Sequence, residues 1–309
     1  MKIIGIGNAI VDVICRVEDD YLLNNGLIKS TMKLINEVEF KKLLSTLKVE
    51  QTIAGGSVAN SIVGLSKLDN KVGFIGKVSD DELGQKYEES LKKENVNYFY
   101  SKKKEILPTG TCLILVTPDS ERTMVTFLGT AGKINEKDVD ISSIKNSEIT
   151  FLEGYLWDKG DPKSAFEIAI KHSNKVAMTL SDLFCVERHR SHFLYLVKNK
   201  LDIIFANEQE ISSLIEAKNF NEVINFTKKL NKLLVITRGK KGSIVINNDE
   251  VLECGIEKNL KIVDLTGAGD LFAAGFLHGY INNLSLQKSL EKGTEMSSKI
   301  IQRIGARLD

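Results

Sequence analysis

Proline is scarce in this chain, three in 309 residues, and tryptophan occurs once. Collagen-like and Pro-rich disordered classes are thereby excluded. Cysteine is nearly as sparse: Cys15, Cys112, Cys185 and Cys254 lie far apart, with no C-x-x-C pair. That spacing fits neither a disulfide framework nor a zinc site, and it points to a reducing cytoplasm. No apolar run approaches the roughly 20 residues that a membrane span needs. The opening Met1-Lys2-Ile3-Ile4-Gly5-Ile6-Gly7 lacks the pattern of a secretory signal and reads as a first strand. An excess of one charge is missing too. Lys+Arg 42 against Asp+Glu 41 leaves a net +1, which argues against a broad nucleic-acid or anionic-membrane surface. No internal repeat, low-complexity tract or Pro/Gly/Ser linker divides the chain.

What is present is a regular alternation of short apolar strands and amphipathic helices. Strands are expected at 2–7, 72–78, 149–152, 176–180, 203–205 and 233–237. Helices are expected at 57–68 (capped by Ser57), 81–93, 162–172, 184–199, 208–230 with a break near Asn219, 268–281 and 285–304. The last places Leu286, Leu290, Met296, Ile300 and Ile304 on one face. A further helix at 37–47 sets Phe40, Leu43, Leu44 and Leu47 at i, i+3, i+4 and i+7. Strand–helix alternation implies βαβ units and a parallel sheet. Two stretches interrupt it. The segments near 13–35 and 95–128 are β-rich, with strands at 97–100, 110–117 and 122–128, the last two joined by the turn Pro118-Asp119-Ser120-Glu121. A hairpin closes around Asn247-Asn248-Asp249. The expectation is one α/β domain over 1–309, carrying a small β-sheet lid built from those two insertions.

The stretch richest in chemistry is Asp264-Leu265-Thr266-Gly267-Ala268-Gly269-Asp270, directly before an apolar helix. A Gly-Ala-Gly turn opening a helix presents unpaired N–H groups, a ready site for a phosphate or a developing anion. Asp270 then sits in the first helical turn, where a carboxylate can accept a proton from an attacking hydroxyl. By residues alone it reads equally well as an acid favoured there by the helix dipole. Other phosphate and metal motifs fail. Gly5-Ile6-Gly7-Asn8-Ala9-Ile10 begins like G-x-G-x-x-G but has Ile10 in place of the third glycine, and no Gly-Lys pair is followed by Ser or Thr. His189 and His192 have no third ligand nearby and read as surface or packing residues.

The Asp264–Asp270 stretch, with Leu271-Phe272-Ala273-Ala274-Gly275-Phe276 after it, resembles the second signature of the ribokinase-like (PfkB) carbohydrate kinases, D-T-x-G-A-G-D. Here Leu265-Thr266 stands where Thr-x is usual. Ala54-Gly55-Gly56-Ser57-Val58-Ala59-Asn60 resembles that family's G-G-x-x-x-N, and the 73–84 stretch its G-x-x-G-x-D-x-x-G region. Gly7-Asn8-x-x-x-Asp12, the 121–129 stretch and the stretch from Leu180 to Arg190 look closer to adenosine kinases and their bacterial relatives. The similarity runs from the first strand to Gly305-Ala306-Arg307.

The resemblance implies a three-layer sandwich with a central, mostly parallel sheet under a β lid. It also implies ATP-dependent phosphorylation of a sugar hydroxyl, the 5′-OH of adenosine first, with ribose, fructose, inosine or guanosine as alternative acceptors. A non-catalytic nucleoside or sugar sensor is the reading from another class. Asp270 matches the base, and Gly267, Ala268 and Gly269 the anion hole. Asn8, Asp12, Gly55, Gly56 and Asn60 match the grip on sugar hydroxyls, with Arg122 reaching substrate or phosphate from the lid. Asn207, Thr237, Gly239 and Gly242, with Gly267 and Gly269, match the ATP contacts, and Glu210 an indirect magnesium contact. A monovalent cation such as potassium would bind by the loop around Asp264. A base slot is expected from Phe127, Leu128, Leu183 and Phe184. The partners implied are nucleoside or sugar and ATP, acting on a monomer or homodimer.

Overall fold

The computed structural model describes residues 1–101, 103–119, 121–158 and 162–308. The expected turn at 118–121 includes Ser120, which lies outside them. Runs that are mostly apolar become strands buried on both faces. They are β1 (Ile3–Ile6), then β5 (Val72–Ile75), β9 (Ile149–Glu153), β10 (Val176–Thr179), β11 (Ile203–Asn207) and β12 (Leu233–Thr237). With β6 (Asn97–Tyr98) and the hairpin β13 (Ser243–Asn247) and β14 (Glu250–Cys254) they form one sheet. Its order is β14-β13-β12-β11-β10-β9-β1-β5-β6 among the described residues. Pairing is parallel from β12 to β6, and antiparallel between β12 and β13 and within the closing hairpin.

Alternation divides the core between the two faces of this sheet. Ile3, Phe151, Phe205 and Val235 pack with Val58, Ile62, Phe272 and Phe276 of helices Ser57–Lys67 and Ala268–Ile281. Ile4, Ile6, Leu152 and Met178 pack on the other face with Phe166 and Phe193 of helices Lys163–His172 and Leu183–Asn199. Three layers result, and every parallel strand ends toward the same edge, where open α/β sheets hold their ligands.

A second sheet lies beside that edge. Its order is β3-β8-β7-β2-β4, from β2 (Ile10–Arg16), β3 (Met32–Leu34), β4 (Val49–Ala54), β7 (Gly110–Val116) and β8 (Arg122–Phe127). One face, Val13, Cys15, Leu113, Leu115, Val125 and Phe127, is covered by Leu22, Phe40 and Leu43 of two short helices. The expected lid segments supply four of these strands. The structure adds β4, which sequence reading missed because Val49–Ala54 is polar and mostly exposed, with no buried alternation. It also assigns Asn97–Tyr98 to the large sheet, beside β5.

Two helices differ from expectation. The one expected to 304 ends at Ile300, and Ile304 is exposed. Ser57 is not a cap: Gly56 holds that position at φ 96, and the Val58 N–H is satisfied by Glu153 from β9. At Asn219 the chain breaks as expected, into helices Glu208–Leu214 and Phe220–Lys228.

Helix Ala268–Ile281 is apolar on all sides, as a buried helix must be. It lies against helix Leu286–Ile300 through glycines: a side-chain carbon on Gly275 would overlap the Lys292 carbonyl, and one on Gly279 would meet Ser289 Cα at 2.7 Å. Gly275→Ala is therefore expected to push two helices apart and destabilise by about 1–3 kcal/mol. Thermal melting should show a loss of about 2–10 °C; an unchanged melting temperature would refute this account of the packing.

Candidate active site

The strand ends of the large sheet and the uncovered face of the second sheet enclose a cavity of about 690 Å³. That size suits a ligand pocket with room for more than one small molecule. Strand alternation decides which lid side chains enter it. Ile10 and Asp12 of β2, Cys112 and Ile114 of β7, and Arg122, Met124 and Thr126 of β8 line it, while their neighbours turn to the covered face. Phe127 is on that covered face, with its ring 5.9 Å from Phe40. Of the expected base slot only Leu128 lines the cavity. Phe184 is exposed beneath the Arg188 guanidinium, and Leu183 starts its helix away from the cavity wall. The apolar wall is instead aliphatic and thioether: Met32, Leu34, Ile114, Met124 and Leu128.

The polar floor comes from the helix starts. Gly267, at φ 77, turns the chain into helix Ala268–Ile281, and Asp270 sits in its first turn. Ala268 N–H is used on the Leu265 carbonyl at 3.2 Å, whereas the N–H groups of Gly267, Gly269 and Asp270 have no partner among the described residues. Around Gly269 the space is open. Ser57 Oγ donates to Asp270 Oδ1 at 2.6 Å and Asn60 Nδ2 to Oδ2 at 3.0 Å. Burial raises the Asp270 carboxyl to about 6, against the lowering pull of these two donors and Arg307.

Beside it, Asp12 of β2 accepts no hydrogen bond among the described residues. Burial raises its carboxyl to about 7, with Asp270 adding to the rise and Arg307 and Arg122 opposing it. Gly55 is needed behind it, since any side chain there would run into the Asp12 carboxylate. Asn8 donates to Glu153 through its Nδ2 at 2.8 Å, leaving its Oδ1 buried without a partner among the described residues. Glu153, at the end of β9, also takes the Asn8 and Val58 N–H groups, and burial lifts it to about 7.

On the opposite wall, Asn207 and Glu210 form a reciprocal cap. Asn207 N–H and Nδ2 donate to the two Glu210 oxygens at 3.0 and 2.5 Å, and Glu210 N–H donates back to Asn207 Oδ1. Glu210 is buried, which raises it to about 7, and both residues line the cavity with Thr237. Gly239 and Gly242 do not line it. They shape the turn from β12 to β13, where Gly242, at φ 88, passes against the Cys254 carbonyl.

Arg122 crosses from the lid to the large domain. Its Nη2 lies 2.5 Å from Asp264 Oδ2, in a pair that is almost wholly buried. Asp264 also accepts from Thr266 N–H and Oγ1 at 3.0 and 2.8 Å, and from Gly305 N–H at 2.8 Å. The structure thus brings Asn8, Asp12, Gly56, Asn60, Arg122, Asn207, Glu210, Thr237 and the 267–270 turn to one cavity. Sequence reading gave neither Glu153 nor Arg307 a role: Glu153 carries no motif, and Arg307 entered only as the end of the stretch of similarity. Their only signal was position, one at the end of an apolar strand and the other near the end of the chain.

The comparisons with known proteins agree with this geometry. Residues 27–309 match the family described as pfkB family carbohydrate kinase. The crystal structure of adenosine kinase from Sinorhizobium meliloti superposes with a TM-score of 0.93 at 38% identity, covering 99% of this chain and 95% of that one. A probable sugar kinase protein from Rhizobium etli CFN 42 does so with a TM-score of 0.93 at 35% identity, over 99% and 94%. Adenosine kinase 2 of Arabidopsis thaliana is 26% identical over 98% of this chain and 94% of its own. The chain belongs to the pfkB family of carbohydrate kinases, ATP-using phosphotransferases with an alcohol group as acceptor.

Proposed function

We propose that the acceptor is the 5′-OH of adenosine and the product AMP, with Asp270 as the proton acceptor. The observation that carries this reading is the pairing of Asp270, under open N–H groups, with an apolar wall across the same cavity. A free sugar has nothing to cover Met32, Leu34, Ile114 and Met124; a nucleoside base does. The likeness to an adenosine kinase at 38% identity supports the same acceptor.

The sugar hydroxyl loses its proton to Asp270 as its oxygen bonds to the γ-phosphorus. The bond from that phosphorus to the bridging oxygen breaks, and the electron pair leaves with ADP. The free N–H groups of Gly267, Gly269 and Asp270 meet the charge on the transferring group, which is where such reactions gain most. Asp12, Asn8 Oδ1 and Asn60 hold the sugar hydroxyls: a carboxylate and an amide oxygen accept, and an amide nitrogen donates. Gly55 and Gly56 allow the backbone to come this close. Asn207 and Thr237 line the nucleotide side, with Gly239 and Gly242 shaping the turn behind. Glu210, its oxygens ordered by Asn207, would hold magnesium through the ion's water shell. When bound, magnesium neutralises phosphate charge. Potassium does not fit at Asp264, whose oxygens already take three N–H or O–H donors and the Arg122 guanidinium. We place the enzyme in the cytoplasm on its four free cysteines.

ADP release measured with adenosine, inosine, guanosine, ribose and fructose in parallel tests the acceptor. Adenosine should give the highest kcat/KM, and ribose or fructose surpassing it would overturn the assignment. Asp270→Asn should cut turnover by about 10²–10⁴ with little change in KM for ATP. Because Asp270 must be ionised to accept a proton, turnover should fall on acidification through about pH 6. A flat profile down to pH 5 would contradict the base role.

Asp12 generates a paired expectation. Its folded pKa, about 7, lies above its ordinary 3.8. The folded state therefore holds the extra proton between those values, and stability is lost as pH rises through that window. Asp12→Asn should raise the melting temperature at pH 8 by about 2 °C, for roughly 1 kcal/mol of relieved burial. The same change should weaken acceptor KM by about tenfold or more. A variant that keeps its acceptor KM would remove Asp12 from the site.

A further inference from the structure

After helix Leu286–Ile300 the chain folds back as a short strap, and three consecutive residues of it reach the site. Gly305, at φ 93, donates its N–H to Asp264 Oδ2 at 2.8 Å. Ala306 lies against Gly267, where a side-chain carbon on that glycine would meet Ala306 Cα at 2.7 Å. Arg307 sends Nε to Asn60 Oδ1 and Nη1 to Ser90 Oγ of helix Glu82–Lys93, each at 3.1 Å. Its Nη2 is buried without a partner among the described residues. Arg307 does not line the cavity; it stands behind the residues that do.

An amide has two ends, and which end faces which neighbour is fixed by the donors and acceptors around it. Arg307 Nε can only donate, so it claims the Asn60 oxygen. The Asn60 nitrogen is then left to face Asp270, to which it donates at 3.0 Å. Without Arg307, the amide could turn over and set an oxygen against the carboxylate. The guanidinium also supplies the positive charge nearest to this group of acids. The charged and titratable groups that feel one another here are Asp12, Asp270, Glu94 and Tyr87 around Arg307, with Glu153 facing Asp270 and Arg122 facing Asp12. Glu94 is already paired with Lys67 at 2.8 Å. The charge on Arg307 is therefore directed at Asp12 and Asp270.

We propose that Arg307 is a positioning residue for phosphoryl transfer, holding the Asn60 amide in the orientation that donates to Asp270 and keeping that carboxylate charged. It acts through Asn60 and through its field and touches no substrate. The inference rests on Asp270 being the proton acceptor.

The test is the pH profile of kcat for wild type, Arg307→Gln and Arg307→Lys, read beside Asp270→Asn. Arg307→Gln removes the charge, so the acid limb should move to higher pH by about one unit, with KM for ATP unchanged. Arg307→Lys restores the charge without the fork, so its limb should return to the wild-type position while kcat stays about two- to tenfold down. A folded Arg307→Gln with a wild-type limb overturns the proposal. Should Arg307→Gln fail to fold, Arg307→Lys decides: a lowered kcat with an unmoved limb supports the role, and a wild-type kcat or a shifted limb overturns it. If Asp270→Asn keeps its turnover, the base reading has failed instead. An inactive Asp270→Asn beside an unmoved Arg307→Gln limb leaves that reading intact and removes only this one.

Discussion

Four donors converge on the carboxylate of Asp264, and they come from three different pieces of the site. Thr266 contributes N–H and hydroxyl from the anion turn itself, Gly305 an N–H from the C-terminal strap, and Arg122 a guanidinium from the lid sheet. A buried carboxylate is costly unless it is paired and hydrogen-bonded. Here the burial of one group forces three segments, far apart in sequence, into register. The anion turn and the strap share this carboxylate, and the lid guanidinium faces it. The Arg122–Asp264 pair is a contact that spans the gap between the lid sheet and the large sheet.

The other acids around the cavity are treated in the opposite way. Asp264 is surrounded by donors, whereas Asp12 has none among the described residues, and Asp12, Glu153 and Asp270 are all raised by burial. Like charges held close resist ionising together. On the proposed reading the cluster has a use, since a sugar needs acceptors and an attacking hydroxyl needs a base. Arg122 and Arg307 limit the cost from two sides, one through the lid and one through the strap. Glu153 has a further part: it takes the N–H of Val58, and so releases Ser57 from capping its own helix to bind Asp270 instead.

That exchange also explains what the sequence did and did not disclose. Ser57 at a helix start is read as a cap because local propensity says so; its true partner is more than two hundred residues away and invisible to any local rule. The parallel sheet was legible because strands such as Ile3–Ile6 and Leu233–Thr237 are almost wholly apolar and alternate with amphipathic helices. Strand β4 was not, since an exposed edge strand needs no buried alternation. The anion turn was legible because glycine and a helix start are local features. Glu153 and Arg307 were not, because a buried charge is defined by what folds around it. Phe127 failed as a base contact for a simple reason of parity. Arg122, Met124 and Thr126 share one face of β8, so Phe127 must share the other.

The same parity is what makes the lid more than a cover. A two-faced strand can serve a packed core and a binding cavity at once, provided that its turns keep the register. On β2, Val13 and Cys15 build the core while Ile10 and Asp12 meet the ligand space; on β7, Leu113 and Leu115 do the first and Cys112 and Ile114 the second. On the proposed reading, recognition of the acceptor is therefore tied to the stability of the lid. A one-residue slip would turn every cavity side chain into the core and carry Asp12 with it. The bulge between Ile14 and Cys15, where β2 pairs with β4, comes just after these positions. The register at Asp12 is thus set before the irregularity begins, by the run of β2–β7 pairs from Ile10–Gly110 onward. The cavity-facing Asp12 sits in the well-paired start of the strand, with the irregular pairing beyond it.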